Sequence, residues 1–320
     1  MMSHSISGGE TRLEAEARQL LVRLNSGRAL AEDHEAATRW RAQSAEHEQA
    51  FRQMEDVWRM LGDLGTSAED ANTRAVERKR RKQPWLGAVA ASIVGAAILG
   101  WMATPVGGVA SLTADERTSA GELRAVELND GSEVTLNGGS AANWQVSTSE
   151  RQVELVAGEA YFQVAHDTTR PFHVAAGPAH IQVTGTAFAV KRLDNAVILT
   201  VSQGHVVASL RDGTKEVALT AGQSVTWSDD EMSGVGTINA EEATAWLRGR
   251  LIVRDARLAD IATELTRYRS GRILLLGERA RDVQVTGVFD VSDPDRILAT
   301  IEQTQGVRVY RVGSLLTVIR

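Results

Sequence analysis

One segment of the chain, residues 86–103, is a nearly unbroken run of small and apolar residues. No charged residue occurs anywhere in residues 83–114. A helix that rises about 1.5 Å per residue would span roughly 27 Å over this run, close to the hydrocarbon thickness of a bilayer. Trp85 and Trp101 stand near its ends, where interfacial aromatic side chains are common. The sequence therefore predicts one transmembrane helix, over residues 84–104.

The charges on the two sides of this run predict its orientation. Five consecutive cations occupy residues 78–82, whereas the first charges after the run are Asp115 and Glu116. Because basic residues favour the cytoplasmic side, we expect a single-pass inner-membrane protein with a cytoplasmic N-terminus and a periplasmic region after about Pro105. Two other interpretations stay open, namely a buried core helix and a twin-arginine export signal at Arg80-Arg81.

Residues 1–64 have the apolar spacing of helices. Three segments carry this period, Leu13 to Leu24, Glu32 to Gln43 and one that follows a capping serine, Ser44. We therefore predict a small all-α cytoplasmic head and, over residues 65–83, a polar linker with a basic end. A domain this small buries its core poorly by itself, so a helix of a partner could complete it.

Between residues 110 and 235 the apolar pattern alternates with period 2, which is typical of strands. Asn129-Asp130-Gly131, flanked by two short apolar segments, is a hairpin signal. Later alternations are each interrupted by a glycine, and Gly158-Glu159 is interpreted as a turn like Asp130-Gly131. The pattern predicts an all-β domain of serial strands, either a sandwich or a short solenoid-like stack.

The helical period returns after residue 241 and alternates with short strands. One β-α-β pattern contains a helix from Arg257 to Tyr268, and a second contains a helix from Pro294 to Gln303. Asp293 before Pro294 is a favourable helix start. We predict a compact C-terminal α+β domain over residues 241–320.

The composition and motifs exclude several classes of function. The chain lacks cysteine, and its net charge of −6 lies entirely after the apolar run, because residues 1–83 carry 14 basic and 14 acidic side chains. This balance disfavours direct binding to nucleic acid. No phosphate-binding glycine loop, metalloprotease motif or nucleophile elbow is present. We expect no enzyme site, no cofactor and no metal.

Three histidines recur at intervals of seven residues, at His166, His173 and His180. An odd interval alternates between the two faces of a strand, and turns intervene between these positions. We therefore do not expect the three side chains to ligate a metal together.

Short motifs along nearly the whole chain share their order and spacing with one family. They are Arg23-Leu24, Trp40, Ser44-x-x-His47-x-x-Ala50-Phe51, Trp58, Val126 to Ser132, Gly158 to Phe162, Arg170-Pro171-Phe172, Gly185 to Phe188, Ala245 to Gly249 and Arg267-Tyr268. With these motifs the chain resembles the FecR family of transmembrane anti-sigma factors, or iron-siderophore sensors. Residues 281–320 look like the small N-terminal domain shared by secretins and TonB-dependent transducers.

The resemblance implies partners on both sides of the membrane. The head would hold an extracytoplasmic-function sigma factor, with Trp40, Phe51 and Trp58 as the contact residues. The periplasmic region would meet the signalling domain of a TonB-dependent siderophore receptor of the outer membrane. Receptor occupancy would then trigger stepwise cleavage by envelope and intramembrane proteases, which frees the sigma factor.

The Gly185–Thr186 bond is a candidate for self-cleavage. The Thr186 hydroxyl could attack the Gly185 carbonyl and move the acyl group from nitrogen to oxygen, after which water would cut the ester. The resemblance points to the same bond, because several family members cut themselves at the matching Gly-Thr. A glycine at a turn followed by a strand-forming threonine explains the dipeptide equally well.

Two functions of other classes compete with regulation of a sigma factor. One is a membrane-anchored structural protein of an export apparatus, which the C-terminal domain alone would suggest. The other is a membrane-tethered envelope hydrolase, for which the sequence offers no catalytic set. Co-purification of the head with a sigma factor would separate the first interpretation from both.

Overall fold

The computed structural model describes residues 12–24, 29–56, 109–147, 149–228, 231–312 and 316–320. The predicted span at residues 84–104 and the linker at 65–83 lie outside these ranges. No helix within them has the length and hydropathy that crossing a membrane requires.

The chain divides into two compact units. One comprises the described residues of Met1–Ala103 together with Gly271–Ala280 and Gly306–Arg320, and the other comprises Thr104–Ser270 and Arg281–Gln305. Each unit is described by itself below.

The N-terminal head is helical, as predicted. Its helices are Arg12–Leu24, Ala31–Arg41 and the helical residues 45–56, and the amide of His47 donates to Ser44 Oγ at 3.3 Å in the expected cap. The apolar side chains of the three helices meet in one small cluster. Its buried members are Ala17, Leu21, Ala37, Ala50, Phe51 and Met54.

The same unit contains a three-stranded sheet from the end of the chain. Strand β16 (Arg272–Leu275) runs parallel to β19 (Leu316–Ile319), and β18 (Val309–Val312) runs antiparallel to β19. Val318 in the central strand is fully buried.

The second unit begins with a β domain, again as predicted. It opens with a 3-10 helix at Val109–Thr113. Its described residues form the strands β1 (Glu116–Arg117), β2 (Arg124–Glu127), β3 (Glu133–Leu136), β4 (Ala141–Val146), β5 (Arg151–Gln163), β6 (Phe172–Ala176), β7 (Ala179–Val183), β8 (Ala187–Arg192), β9 (Ala196–Gln203), β10 (His205–Leu210), β11 (Val217–Thr220), β12 (Gln223–Ser228), β13 (Glu231–Met232) and β14 (Gly236–Thr237).

The long strand β5 belongs to two sheets. Its first half pairs with β4 and β6, and its second half pairs with β3 and β8. The first sheet continues through β7, β10 and β11, and the second continues through β9, β12 and β13. Of the two predicted architectures, the structure has the sandwich.

Gly158 lies where β5 passes from one sheet to the other. Its φ is +87°, and an added Cβ would stand 2.4 Å from the Cα of Ser140. The interpretation of Gly158-Glu159 as a turn is therefore wrong, since the glycine permits a change of sheet inside a continuous strand. The hairpin turn at Asp130-Gly131, by contrast, is present between β2 and β3.

One hydrophobic core fills the space between the two sheets. Alternate residues of their strands point into it, and the rings of Phe162 and Phe188 stack there with centroids 5.0 Å apart. Trp227 of β12 is also fully buried in it. The period-2 alternation in the sequence thus reports burial on one face of each strand.

The remaining elements of this unit follow the β domain in the chain. They are the helix Ala240–Ala243, the 3-10 helix Ala245–Arg248, β15 (Arg250–Arg257), the helix Leu258–Leu265, β17 (Gln284–Asp290) and the helix Pro294–Gln305. The short helix Glu278–Arg281 has its first three residues in the other unit.

The predicted order of strands and helices in this region is confirmed, but the strands pair across the two predicted patterns. Strand β15 pairs antiparallel with β17, and β16 pairs with β19. The two β-α-β patterns therefore do not form two separate units. Their apolar periods reveal each element, whereas the choice of partner strand depends on contacts that are distant in sequence.

Candidate functional site

Trp40 lies at the edge of the small core of the head. Its indole nitrogen donates a hydrogen bond of 2.9 Å to Glu16, which joins the first two helices. Its ring is only partly buried and meets the ring of His47 edge-on at 4.7 Å. The Trp40 bond, followed by that from Arg12, holds the pKa of Glu16 below its ordinary value. Trp40 is therefore fixed in place and still presents part of its surface.

Phe51 and Trp58, the other predicted contact residues, are placed differently. Phe51 is only 3% exposed, so its ring forms part of the core of the head. Trp58 lies outside the described residues. The structure thus brings Trp40 and Phe51 together, with ring centroids 6.4 Å apart, and leaves Trp40 as the accessible member of this pair.

A network of ion pairs lies beside the ring of Phe51. Arg41 donates two hydrogen bonds, of 2.7 and 2.9 Å, to Glu48, and Arg52 donates one of 2.7 Å to the same carboxylate. Arg41 also lies 4.8 Å from the centroid of the Phe51 ring. The hydrogen bonds from Arg41 and then Arg52 lower the pKa of Glu48 to about 2. A partly buried aromatic with fixed charges around it is a surface that can bind another protein.

The Gly185–Thr186 bond lies between β7 and β8, where several segments come close together. A Cβ at Gly185 would stand 2.4 Å from Nδ1 of His166, so only glycine fits against this ring. Thr186 is 6% exposed, and its hydroxyl donates a hydrogen bond of 2.9 Å to the carbonyl of His205. Gly204 packs against both members of the bond. The nucleophile of the predicted cleavage is thus buried and held in one orientation.

His173 and His180 meet on the outer face of the hairpin formed by β6 and β7. Nδ1 of His173 lies 3.3 Å from Nε2 of His180, and the two rings stack with centroids 5.3 Å apart. The prediction that an odd interval separates these side chains is wrong, because the turn at Gly177-Pro178 reverses the chain between them. Burial, followed by His180 and Arg151, lowers the pKa of His173.

A buried polar cluster is the feature that the sequence did not reveal. Asn137 donates hydrogen bonds of 2.8 Å to Glu159 and 3.0 Å to the hydroxyl of Tyr268. Lys191 forms an ion pair with Glu264. Glu264 also pairs with Arg267, whose Nε lies 3.5 Å from Oε2 of the carboxylate. These side chains join β5 and β8 of the sandwich to the segment around the helix Leu258–Leu265. The motifs Gly158 to Phe162 and Arg267-Tyr268 contain three of them, but short motifs give no sign of their contact.

The pKa values of the two carboxyl groups in this cluster, Glu159 and Glu264, are shifted in opposite directions. Burial raises the pKa of Glu159, and the neighbouring Glu264 adds to that effect against the opposing Lys191. Burial acts on Glu264 in the same direction, but Lys191 and Arg267 outweigh it and lower the pKa of Glu264. Glu159 therefore takes up a proton more readily than Glu264 does.

The same cluster lines a cavity of about 220 Å³. Its walls include Trp246, Leu251 and Ile261 beside Glu159 and Lys191. The backbone also makes close contacts at this cluster. The amide of Gly121 donates a hydrogen bond of 2.8 Å to the carbonyl of Arg267. A Cβ at Gly138 would lie 2.1 Å from that same oxygen. The sandwich and the following segment are therefore joined by both polar and backbone contacts.

No group of three or more histidine or carboxylate side chains in the described part of the chain is arranged to hold a metal ion. The sequence pattern did not predict that His166, His173 and His180 would ligate a metal together. In the structure, His166 lies beside Gly185.

Comparisons with known proteins match two separate parts of the chain. Residues 114–207 match the family model described as FecR protein, which covers most of the sandwich. Residues 15–57 match a domain of unknown function, DUF4880, which covers the described helices of the head except the first three residues of the first helix. No curated protein matches the chain.

Two solved structures have the fold of the larger part. Both are crystal structures of a candidate anti-sigma factor from Parabacteroides distasonis, one at 1.65 Å and one at 2.50 Å. The first is 25% identical, with a TM-score of 0.57 over 64% of this chain and 97% of the other. The second is 26% identical, with the same TM-score over 64% of this chain and 96% of the other. The sandwich of this chain thus matches the FecR family over residues 114–207, and the larger part of the chain has the fold of these two structures.

Proposed function

We propose that this protein is an anti-sigma factor that holds an extracytoplasmic-function sigma factor through its helical head. The observation that carries the proposal is the head itself, in which the partly buried Trp40 is fixed by Glu16 and lies beside Phe51, whose ring contacts Arg41 of the Arg41–Glu48 ion pair. The FecR match and the neighbours described as candidate anti-sigma factors support the same role.

The physical reason is the size of the head core. Among the described residues of the head, six apolar side chains are buried, of which three are alanines, and the other members of the cluster, Leu13, Leu20, Leu24 and Trp40, are only partly buried. This core gives little apolar area to stabilise three helices. Binding of an apolar helix or groove of a sigma factor at Trp40 would extend this core. The sigma factor would in turn lose a surface that it needs for transcription.

Replacing Trp40 with alanine should weaken binding of the sigma factor by about 2–4 kcal/mol, the range for an aromatic residue at the centre of an interface. The measurement is a pull-down, followed by calorimetry, of the full chain with each purified sigma factor of this class from the host. Phe51→Ala serves as the matched comparison, because it removes a ring from the core and should unfold the head. A Trp40→Ala variant that keeps its helical circular dichroism and binds normally would place the contact surface elsewhere.

We further propose that the head is cytoplasmic and that the β region is periplasmic, connected by a span at residues 84–104. The support is the sequence pattern of five cations before the apolar run and two acids after it. The periplasmic region would receive the signalling domain of a TonB-dependent siderophore receptor. Envelope and intramembrane proteases would then release the sigma factor. The ion pair of Lys191 and Glu264 would transmit force from the helix Leu258–Leu265 to strand β8 of the sandwich.

Reporter fusions test this topology directly. Alkaline phosphatase fused after Asp115 should be active, because the enzyme needs the oxidising periplasm to form its disulfides, and the same enzyme fused before Arg78 should be inactive. A matched set of fluorescent-protein fusions should show the opposite pattern. Activity before Arg78 and none after Asp115 would reverse the topology and remove the proposed access to both partners.

We also propose that the protein cuts itself at the Gly185–Thr186 bond. In this step Thr186 Oγ bonds to the carbonyl carbon of Gly185, the C–N bond breaks, and the freed nitrogen takes the hydroxyl proton. Water then hydrolyses the ester to a Gly185 carboxylate and a free Thr186. The buried, hydrogen-bonded hydroxyl and the tight packing of Gly185 on His166 support this proposal.

A further inference from the structure

The outer face of the β6–β7 hairpin carries an imidazole pair with the spacing of a metal chelate. Phe172, Val174 and Ala176 of β6 point into the core, so His173 lies on the opposite face. Ala179, Ile181 and Val183 of β7 are buried in the same way and leave His180 on that outer face. The hairpin therefore presents both rings on its solvent side.

The register of the strands brings the two rings together. His173 is paired with Gln182, and His180 is paired with Ala175, so the histidines are diagonal neighbours across the hairpin. Diagonal neighbours stand within reach of long or aromatic side chains. The small side chain of Ala175 leaves room beside His180, and Ser209 of β10 lies on its other side.

The distance between the two nitrogens agrees with joint coordination. Nδ1 of His173 and Nε2 of His180 are 3.3 Å apart. Two ligands at a Zn–N distance of about 2.0–2.1 Å in a tetrahedral site are separated by about 3.3 Å. The two rings are stacked at 26° to each other, so each ring would rotate about its broad terminal torsion to direct both lone pairs at one point.

We propose that His173 and His180 bind a divalent late transition-metal ion such as Zn²⁺ or Cu²⁺. Neutral imidazole suits these ions, whereas Mg²⁺ and Ca²⁺ prefer oxygen ligands. Two protein ligands leave the other coordination positions to water, so the bound ion exchanges readily. The ion links β6 to β7 and stabilises the hairpin. This site is independent of the binding of a sigma factor by the head.

The test is a calorimetric titration of the full chain, purified in detergent without a histidine tag, with Zn²⁺ alone. The wild-type protein should bind one ion at this site, and His173→Gln or His180→Gln should each weaken binding by at least about tenfold, because the chelate becomes a single ligand. His205→Gln is the matched control, since His205 is an exposed histidine of the same sandwich, and it should leave binding unchanged. Mg²⁺ should not compete.

A second readout separates ligation from general effects on folding. Electron paramagnetic resonance of bound Cu²⁺ should show two imidazole nitrogens in the wild type and in His205→Gln, and one at most in His180→Gln. Zn²⁺ should raise the melting temperature of the wild type and not that of His180→Gln. Failure of the wild type to bind either ion, or binding that survives both His173→Gln and His180→Gln, would overturn the proposal.

Discussion

Replacing Arg151 with alanine should lower the free energy of unfolding of the sandwich by about 3–5 kcal/mol, because it leaves a buried carboxylate without its cation. The side chains of Arg151 and Asp130 are 1% and 2% exposed, and Nη1 of Arg151 lies 3.2 Å from Asp130. The same guanidinium donates 3.1 Å to the carbonyl of Ala165 and lies 5.5 Å from the centroid of the Phe172 ring. One side chain thus joins the β2–β3 turn to the start of β5.

The measurement is urea unfolding of the region from residue 105 onward. Arg170→Ala is the matched control, since Arg170 also pairs with an aspartate, Asp167, but is 37% exposed in its side chain. A surface pair of this kind contributes about 0–1 kcal/mol, so the control should unfold close to the wild type. Similar small losses in both variants would show that the Arg151–Asp130 pair does not stabilise the sandwich.

Replacing Thr186 with alanine should abolish cleavage of the chain, because it removes the only nucleophile that can attack the Gly185 carbonyl from the adjacent residue. The wild type, incubated without protease, should separate into fragments of residues 1–185 and 186–320 under denaturing conditions. Thr186→Ser keeps a hydroxyl and should retain some cleavage, and Thr186→Cys could cut through its thiol. Hydroxylamine should accelerate the break by trapping the ester.

Other Gly-Thr bonds in the chain provide internal controls. Gly213-Thr214 lies in an exposed turn, where the Thr214 hydroxyl is bonded to Asp212, and Gly236-Thr237 lies in the short exposed strand β14. If cleavage depends on the burial and orientation of the threonine hydroxyl, these two bonds should stay intact. Thr214→Ala should then be cleaved at Gly185–Thr186 to the same extent as the wild type. A wild-type protein that stays a single 34.6 kDa chain after prolonged incubation would contradict self-cleavage.

The two fragments should remain associated under native conditions. Strand β5 precedes the bond and pairs with β8 beyond it, and β7 pairs in the same way with β10. Both fragments also contribute side chains to the single core of the sandwich. They should therefore elute together in gel filtration and separate only when the core unfolds. A pulling force that unfolds the core could then remove the fragment of residues 186–320.

Local patterns predicted most of the elements of this fold. The helical period of the head and the alternation of the β region each depend on neighbours within a few residues, so one sequence reveals them. The hairpin at Asn129-Asp130-Gly131 was predicted for the same reason, because its turn residues are adjacent.

Features that depend on contacts between distant residues were not predicted. Gly158 resembles a turn until Ser140, eighteen positions earlier, is seen to occupy the space of its missing side chain. The odd interval between His173 and His180 indicated opposite faces, but the reversal of the chain at Gly177 brings both onto the same face. Glu159, Lys191 and Glu264 become one cluster only after β5, β8 and a later helix have packed together.

The most direct test of the central proposal compares the full chain with a chain that lacks residues 10–64. Each is purified and titrated by calorimetry with each extracytoplasmic-function sigma factor of the host. We predict one sigma factor per full chain and no binding after removal of the head. Equal binding by both proteins, or the absence of binding by the full chain to any sigma factor of the host, would contradict the proposed role of the head.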